Sequence, residues 1–389
     1  MEEESMRRIY MDANATSPVR DEVVEAMSPF WRSNFGNASS IHLDGQQARA
    51  AVEQGREQLA EFLGCHAAEV VFTSGATESD NTALMGMLGP GDHLVTTAIE
   101  HPAVIESAKR LEKFGVTVSF VAPEADGAVR AEAIQAAMRP ETKLVSVMLA
   151  NNETGVLQPV EEIGALVREA GCYFHIDAVQ GAGKLAMDVK RWGCHLLSLS
   201  AHKMYGPKGM GALYVRRGTP LESRMVGGKH ERRRRAGTEN VAGIVGMGCA
   251  AARSMASVEA GLPEQIARLR DRLEQGILAI SGTGVNGTAK RVGNTTNLWF
   301  EQLEGEALVI ALDLKGIAVS GGAACSSGTT EPSPVLLAMG VDEERARASL
   351  RFSLLETATV EEVDHVIAVM PELVASLREL SPSVAGTLG

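Results

Sequence analysis

The sequence predicts an α/β protein, with a mainly parallel sheet in a large domain and a smaller α/β domain towards the C-terminus. Three observations carry this. Seven short apolar runs recur between residues 69 and 216. Helix-period segments separate several of them. Near residue 260 the rhythm changes to long helices with isolated strands. Buried runs alternating with helices require a sheet covered on both faces.

The elements follow in order. GQQARAAVEQGREQLAEFLG (45–64) reads as a helix, with Ala48, Val52, Leu59 and Phe62 among its apolar positions and Gly64 as its stop. EVVFTSGATESDNTALMGMLG (69–89) reads as strand, tight turn and helix. The next strands are HLVTTAI (93–99), VTVSFVA (116–122), KLVSVMLA (143–150), CYFHIDA (172–178), HLLSLSA (195–201) and GALYVR (211–216). VEEIGALVREAG (160–171) is a helix between two of them. In the C-terminal part, residues 262–280, 305–316 and 359–380 read as helices, and TTNLWFE (295–301) and ARASLRFS (346–353) as strands.

The chain has 389 residues, 45% hydrophobic and 22% charged, which suits a soluble globular protein with a large core. A net charge of −12 argues against general nucleic-acid binding and against an anionic membrane surface. The start, MEEESMRRIYMD, has no apolar stretch, so no secretory signal is expected, and no apolar run long enough to cross a bilayer is expected either. Cys65, Cys172, Cys194, Cys249 and Cys325 are scattered, odd in number and form no CxxC. That pattern fits a reducing cytoplasm, without a disulfide framework or a zinc site.

SLSAHKMYGPKGMGALYV (198–215) sets Lys203 after a strand, beside His202, Ser200 and a glycine-rich turn. A lysine at a strand end is often an ordinary surface group. Here serine and histidine can hold a phosphate, and an amine near other cations can form a Schiff base. Those are the demands of pyridoxal phosphate. TSGATES (73–79) offers backbone donors at a helix start, best at Gly75, Ala76 and Thr77, or is a plain strand–helix turn. It lacks the lysine of a Walker loop. HIDAVQ (175–180) ends a buried run on Asp177, which suits a pyridine nitrogen or a helix cap, with Gln180 three residues on. LANNETG (149–155) brings Asn152 to another strand end, and IEHPAV (99–104) brings His101. Turn chemistry and a structural histidine are the plain alternatives. These groups gather at C-terminal strand ends, where open α/β sheets bind ligands.

Ten ordered motifs run nearly end to end: YMDANATSPV (10–19), GNASSIH (36–42), FTSGATES (72–79), EHPAV (100–104), NNETG (151–155), HIDAVQ, SLSAHKMYGPKG (198–209), AGTEN (236–240), SGGAACSSG (320–328) and SLRFS (349–353). With them the chain resembles the cysteine desulfurases, class-V aminotransferase-like enzymes of pyridoxal-phosphate fold type I that serve iron–sulfur cluster assembly. The resemblance implies a seven-stranded, mainly parallel sheet in a large domain of residues 15–258. It implies a small domain of residues 1–14 and 259–389 that carries the active-site cysteine loop. Lys203 would hold pyridoxal 5'-phosphate covalently. His101 would stack on the ring and assist proton transfer, Asp177 would pair with the ring nitrogen, and Gln180 with the phenolic oxygen. Asn152 would lie at the ring edge. Gly75, Ala76, Thr77, Ser200 and His202 would bind the phosphate, joined by Thr238 from a second subunit of a homodimer. Arg351 would grip the substrate carboxylate in bidentate fashion. Asn14 and Asn37 would line the substrate pocket.

The implied reaction converts L-cysteine to L-alanine, leaves a persulfide on Cys325, and passes that sulfur to an iron–sulfur scaffold or another acceptor protein in the cytoplasm. Cys325 would need to react as a thiolate. The run VSGGAACSSGTTEPSP (319–334) suits a carrier thiol. Gly321, Gly322 and Gly328 relax the chain around Cys325, while Pro332 and Pro334 place a helix start nearby. Two departures stand out. NASS (37–40) lacks the proline of the frequent NPSS, and Gly321 and Ala323 replace loop serines. The GTEN ending leans towards the branch that serves nitrogenase assembly. An aminotransferase or selenocysteine lyase of the same fold is the alternative enzyme, and a non-catalytic interaction protein the alternative class. The presence of both Lys203 and Cys325 argues against them. ERRRRAG (231–237) is the only dense charge run, and with aromatics at 4% it makes no stacking platform for nucleic acid. It is expected to face solvent, a partner subunit or an acidic acceptor. Cys172, Cys194 and Cys249 are expected in the core.

Overall fold

A computed structural model describes residues 8–321 and 331–380. Thirteen strands occur among them: β1 (Ile9–Tyr10), β2 (Val70–Thr73), β3 (His93–Thr97), β4 (Thr117–Val121), β5 (Thr142–Met148), β6 (Tyr173–Asp177), β7 (Leu196–Ser200), β8 (Gly211–Val215), β9 (Thr283–Asn286), β10 (Thr295–Phe300), β11 (Ile317–Ala318), β12 (Ser320–Gly321) and β13 (Ser349–Ser353). Seven make one sheet in the order β2-β8-β7-β6-β5-β3-β4. All of its pairings are parallel except those of β8, which runs against both neighbours. The mainly parallel, seven-stranded sheet is thus as expected. The reversal at β8 follows from the short link after β7, which leaves no room for a crossover helix.

The alternation within each strand divides the sheet's two faces. Val70 and Phe72 point into one core and Val71 into the other; Val145 and Val147 oppose Leu144 in the same way. Helix Leu43–Leu63 covers the first face, stopped by Gly64 at φ 67°. Helices Ala76–Met87 and Pro102–Glu112 cover the second. Gly211 opens β8 directly beneath the turn after β2. A Cβ there would sit 2.6 Å from the Gly75 backbone, so glycine lets strand and turn touch.

A second core lies around the antiparallel sheet β12-β13-β10-β9. Helices Leu262–Leu278, Gly305–Leu314 and Val360–Leu380 pack on it, and Ile9 and Met11 from the opposite end of the chain join it. The sequence reading passes over β9, whose TGVN lacks an apolar alternation, and over helix Val241–Glu259. That helix corrects one expectation, since by length and composition it is apolar enough to cross a membrane. Here it packs in the protein core. Ala242, Ile244, Met247, Ala250 and Ala251 are buried, and Gly248 lies against Gly55 of helix Leu43–Leu63.

Cys325 lies outside the described residues. The residues on either side of that span have different supports. Ser320 and Gly321 pair with β13 in the small sheet. Helix Pro334–Ala338 begins where the prolines place it, with the Ser333 hydroxyl accepting from Leu336 N at 3.2 Å. Val335, Leu336 and Met339 then enter the core of the large sheet.

Candidate active site

The C-terminal ends of β2, β3, β5, β6 and β7 open on a cavity of about 570 Å³. Gly75, Ala76, Thr77, His101, Asn152 and Asp177 line it from the strand ends. Gln180, Ser200, His202 and Lys203 add to it from the loops that follow, and Asn14 and Arg351 close it from the side of the small sheet. Two expected residues stand apart. Thr238 lines a neighbouring cavity of about 250 Å³ that shares Ser74 and Gly209 with the first. Asn37 is exposed, accepts from Ser39 N at 2.8 Å, and does not line the cavity of its own chain.

Helix Ala76–Met87 points its N-terminus at the cavity, where its first-turn N–H groups lack intrahelical acceptors. Ser200 and His202 face the same region. His202 Nδ1 lies 3.1 Å from Thr16 Oγ1, and burial together with Lys203 and Lys208 pushes the ring down to about 4. It is therefore a neutral hydrogen-bonding group at pH 7. Lys208, left without a role by the sequence reading, adds a cation to this wall.

His101 caps helix Pro102–Glu112. Its Nδ1 accepts from Ala103 N at 3.1 Å. Burial, with Lys203 nearby, lowers its pKa against the opposing pull of Asp177. The neutral ring thus carries its proton on Nε2. The structural and chemical readings of this histidine are compatible, because the cap fixes the tautomer.

Asp177 ends β6 and is buried. One carboxylate oxygen accepts from Val179 N at 3.0 Å. Burial raises its pKa, while His101 and Lys203 hold it down. Beneath it lies a polar layer. His175 meets Ser146 Oγ at 2.8 Å and Ser198 Oγ at 3.0 Å. Its Nε2 is 3.6 Å from Asp80 Oδ1, but the contact is no ion pair. Burial pushes His175 down to about 3 and, with the Asp177 charge, lifts Asp80 well above the carboxylate range. Glu100 is pushed up to about 8 by burial, although Thr97 Oγ1 at 2.6 Å and Met148 N at 2.9 Å donate to it.

The far wall is joined by direct hydrogen bonds. Arg351 is buried on β13; it donates to Asn152 O at 2.9 Å and to Asp12 Oδ1 at 2.6 Å, leaving its Nε without an acceptor. The Lys203 amine donates to Asn14 O and, at 2.7 Å, to Ala15 O. Asn14 lines the cavity, and its carboxamide is fully engaged within the protein. Nδ2 donates to Asn152 O and Thr295 Oγ1, and Oδ1 accepts from Lys184 and Asn294. All four positions of the amide are taken, which makes Asn14 a hub between the two cores. Asp12, Asp80 and Lys184 went unassigned by sequence. DANA and ESDN offered acidic residues, but nothing local revealed their partners.

A carboxylate, an amine, a helix N-terminus and an arginine around one cavity fit pyridoxal phosphate with an amino-acid substrate. Comparison with known proteins agrees. Residues 9–366 match the aminotransferase class-V family. The chain is 51% identical over 385 residues to "Cysteine desulfurase IscS" of Anaeromyxobacter sp. (strain Fw109-5), covering 96% of this chain and 94% of that one. Among solved structures, a NifS-like protein superposes with a TM-score of 0.89 at 35% identity, covering 95% of this chain and 100% of that one. "SspA in complex with cysteine" superposes with a TM-score of 0.79 at 35% identity, covering 89% and 98%. The chain belongs to the aminotransferase class-V family and is a cysteine desulfurase.

Proposed function

We propose that this desulfurase works with pyridoxal phosphate bound at Lys203 and takes the sulfur of L-cysteine onto Cys325 for iron–sulfur cluster assembly. The convergence of Lys203, Asp177, the 76–78 helix start and Arg351 on one cavity carries the reading. The bound cofactor supplies an electron sink for charge developing at the substrate's α-carbon. Asp177 would keep a proton on the ring nitrogen. Gln180 would donate to the ring's phenolic oxygen. The helix start, with Thr77, Ser200 and His202, would hold the phosphate. Arg351 takes the substrate carboxylate, aided by Asn152. Lys203 Nζ would remove the α-proton, and neutral His101 would face the bound ring with its Nε2–H free of the cap.

The Cys325 thiolate then attacks the substrate sulfur. The sulfur–sulfur bond forms as the carbon–sulfur bond breaks. The electron pair stays with the carbon fragment, which is protonated and leaves as L-alanine. The other four thiols support this assignment. None of them lines the cavity, and burial pushes Cys65 up to about 12 and also raises Cys172, Cys194 and Cys249. "SspA in complex with cysteine" supports the substrate.

The proposed enzyme is a homodimer. Thr238 is exposed at the edge of the phosphate region, and Trp31, Phe35, Ile41 and Leu43 expose apolar surface that a second copy would cover. We take the division as a large domain, 15–258, and a small domain, 1–14 with 259–389, the latter lending Val335, Leu336, Met339 and Ala346 to the large core.

The test begins with protein purified in the presence of pyridoxal phosphate. A visible absorption band is expected, with borohydride fixing the cofactor to the peptide that holds Lys203. L-cysteine with a reductant should yield sulfide and alanine. Cys325→Ala should keep the band and lose sulfide. A colourless wild-type protein, or Lys203→Ala with unchanged turnover, would sink the proposal.

A further inference from the structure

Lys184 is a second lysine at the heart of the site, and the reaction as described gives it no task. It is partly buried and lines a small cavity of about 40 Å³ behind Lys203, while its partners Gln180 and Asn14 line the main cavity. Its Nζ donates to Gln180 Oε1 at 2.8 Å and to Asn14 Oδ1 at 2.9 Å. No ion pair joins it to a carboxylate among the described residues. Enclosure and the nearby charges of Lys203 and Arg351 push its pKa well below the ordinary lysine value. Holding a cation there is costly, and filling the space does not require one.

Between two amide oxygens the amine does something an apolar side chain cannot: it donates to both, and as an ammonium it offers only donors, so that each amide presents its oxygen. For Gln180 this turns the NH₂ group the other way. One of its N–H bonds reaches Asn14 O at 3.0 Å, and the second is left for a further acceptor. A flipped Gln180 would set NH₂ against ammonium and carbonyl against carbonyl. For Asn14 the same contact anchors the residue whose backbone carbonyl receives Lys203.

We propose that Lys184 is a positioning residue for the desulfurase reaction: it holds Gln180 Oε1 and Asn14 Oδ1 so that the Gln180 NH₂ group faces the phenolic oxygen of the cofactor and the Asn14 carbonyl meets Lys203. This rests on the cofactor reading above.

The experiment is a double-mutant cycle of Lys184→Met and Gln180→Leu, read in the cofactor-bound protein. The readouts are the cofactor dissociation constant, the position and pH titration of its visible band, and the thermal midpoint. Lys184→Met should weaken cofactor binding on the order of tenfold. It should move the band's titration in the direction that Gln180→Leu does. The double variant should add little to Gln180→Leu alone. Lys184→Gln keeps a shorter neutral donor and should recover part of the band's titration; it carries the cycle if the methionine variant does not fold. A titration unchanged in both Lys184 variants overturns the proposal, as do losses that add fully in the cycle. Wild-type protein that never acquires a visible band overturns the cofactor reading, and this inference with it.

Discussion

The floor of the cavity and its far wall are built in opposite ways. The floor is desolvated. Asp177, Asp80, Glu100 and His175 lie at or under strand ends, and burial moves each towards its neutral form. The wall is cross-linked. Asp12, Asn14, Asn152, Lys184 and Arg351 are tied by short hydrogen bonds across elements remote in sequence. The floor therefore tunes where protons reside, and the wall sets where cations point. A catalyst of this kind needs both, because an electron sink is useless unless the substrate is held against it.

Substitutions can break that division. Asp177→Asn keeps the shape of the floor and removes its charge; kcat should fall roughly 10²- to 10⁴-fold with little change in KM, measured as alanine formation. Arg351→Lys keeps a cation in the wall and removes the fork. KM for L-cysteine should rise roughly 10- to 100-fold, with a smaller effect on kcat. Equal losses in both parameters for both variants would erase the distinction between floor and wall.

The smallest effect concerns stability. Glu100 keeps its proton in the folded protein up to about 8, against an ordinary value of 4.5. Between those values the unfolded chain binds fewer protons, so stability falls as pH rises. Glu100→Gln should flatten the decline in thermal midpoint between pH 5 and 8, removing about 4 kcal/mol of pH dependence at most. Glu153, pushed up to about 7 by burial, retains part of the slope. A slope unchanged in Glu100→Gln would place the proton elsewhere.

The same contrast governs what the sequence disclosed. Strand ends are local features, so apolar runs followed by Asp177, Ser200 or His101 mark this end of the sheet in the sequence itself. The layer beneath was hidden, since alternation assigns His175 to a face without naming what it meets there. The wall depends on pairs far apart, such as Asn14 with Thr295 and Asp12 with Arg351. One chain lists such residues without pairing them. ERRRRAG shows how this misleads. Arg232 and Arg233 are exposed, as expected of a charge run. Glu231 is buried, receives Arg56 at 2.7 and 2.8 Å, and accepts from Phe72 N at 2.9 Å. Arg235 pairs with Glu78 at 2.9 Å beside the helix start. The run is thus partly an anchor for the segment that carries Thr238.

The Asp12–Arg351 contact also bears on how the molecule comes into being. It joins residues 339 positions apart, and Asn14 N to Ser353 Oγ spans the same separation. Loops of that length close late and slowly. Every strand of the large sheet has been synthesised once Val215 is made. The substrate-facing wall must wait for β13, and for the N-terminal strap to be still free to receive it. A nascent chain halted before Ser349 would hold the lysine and the aspartate of the site but lack the arginine that orients an amino acid. Competence to bind cofactor and competence to use it would then be acquired at different moments of synthesis.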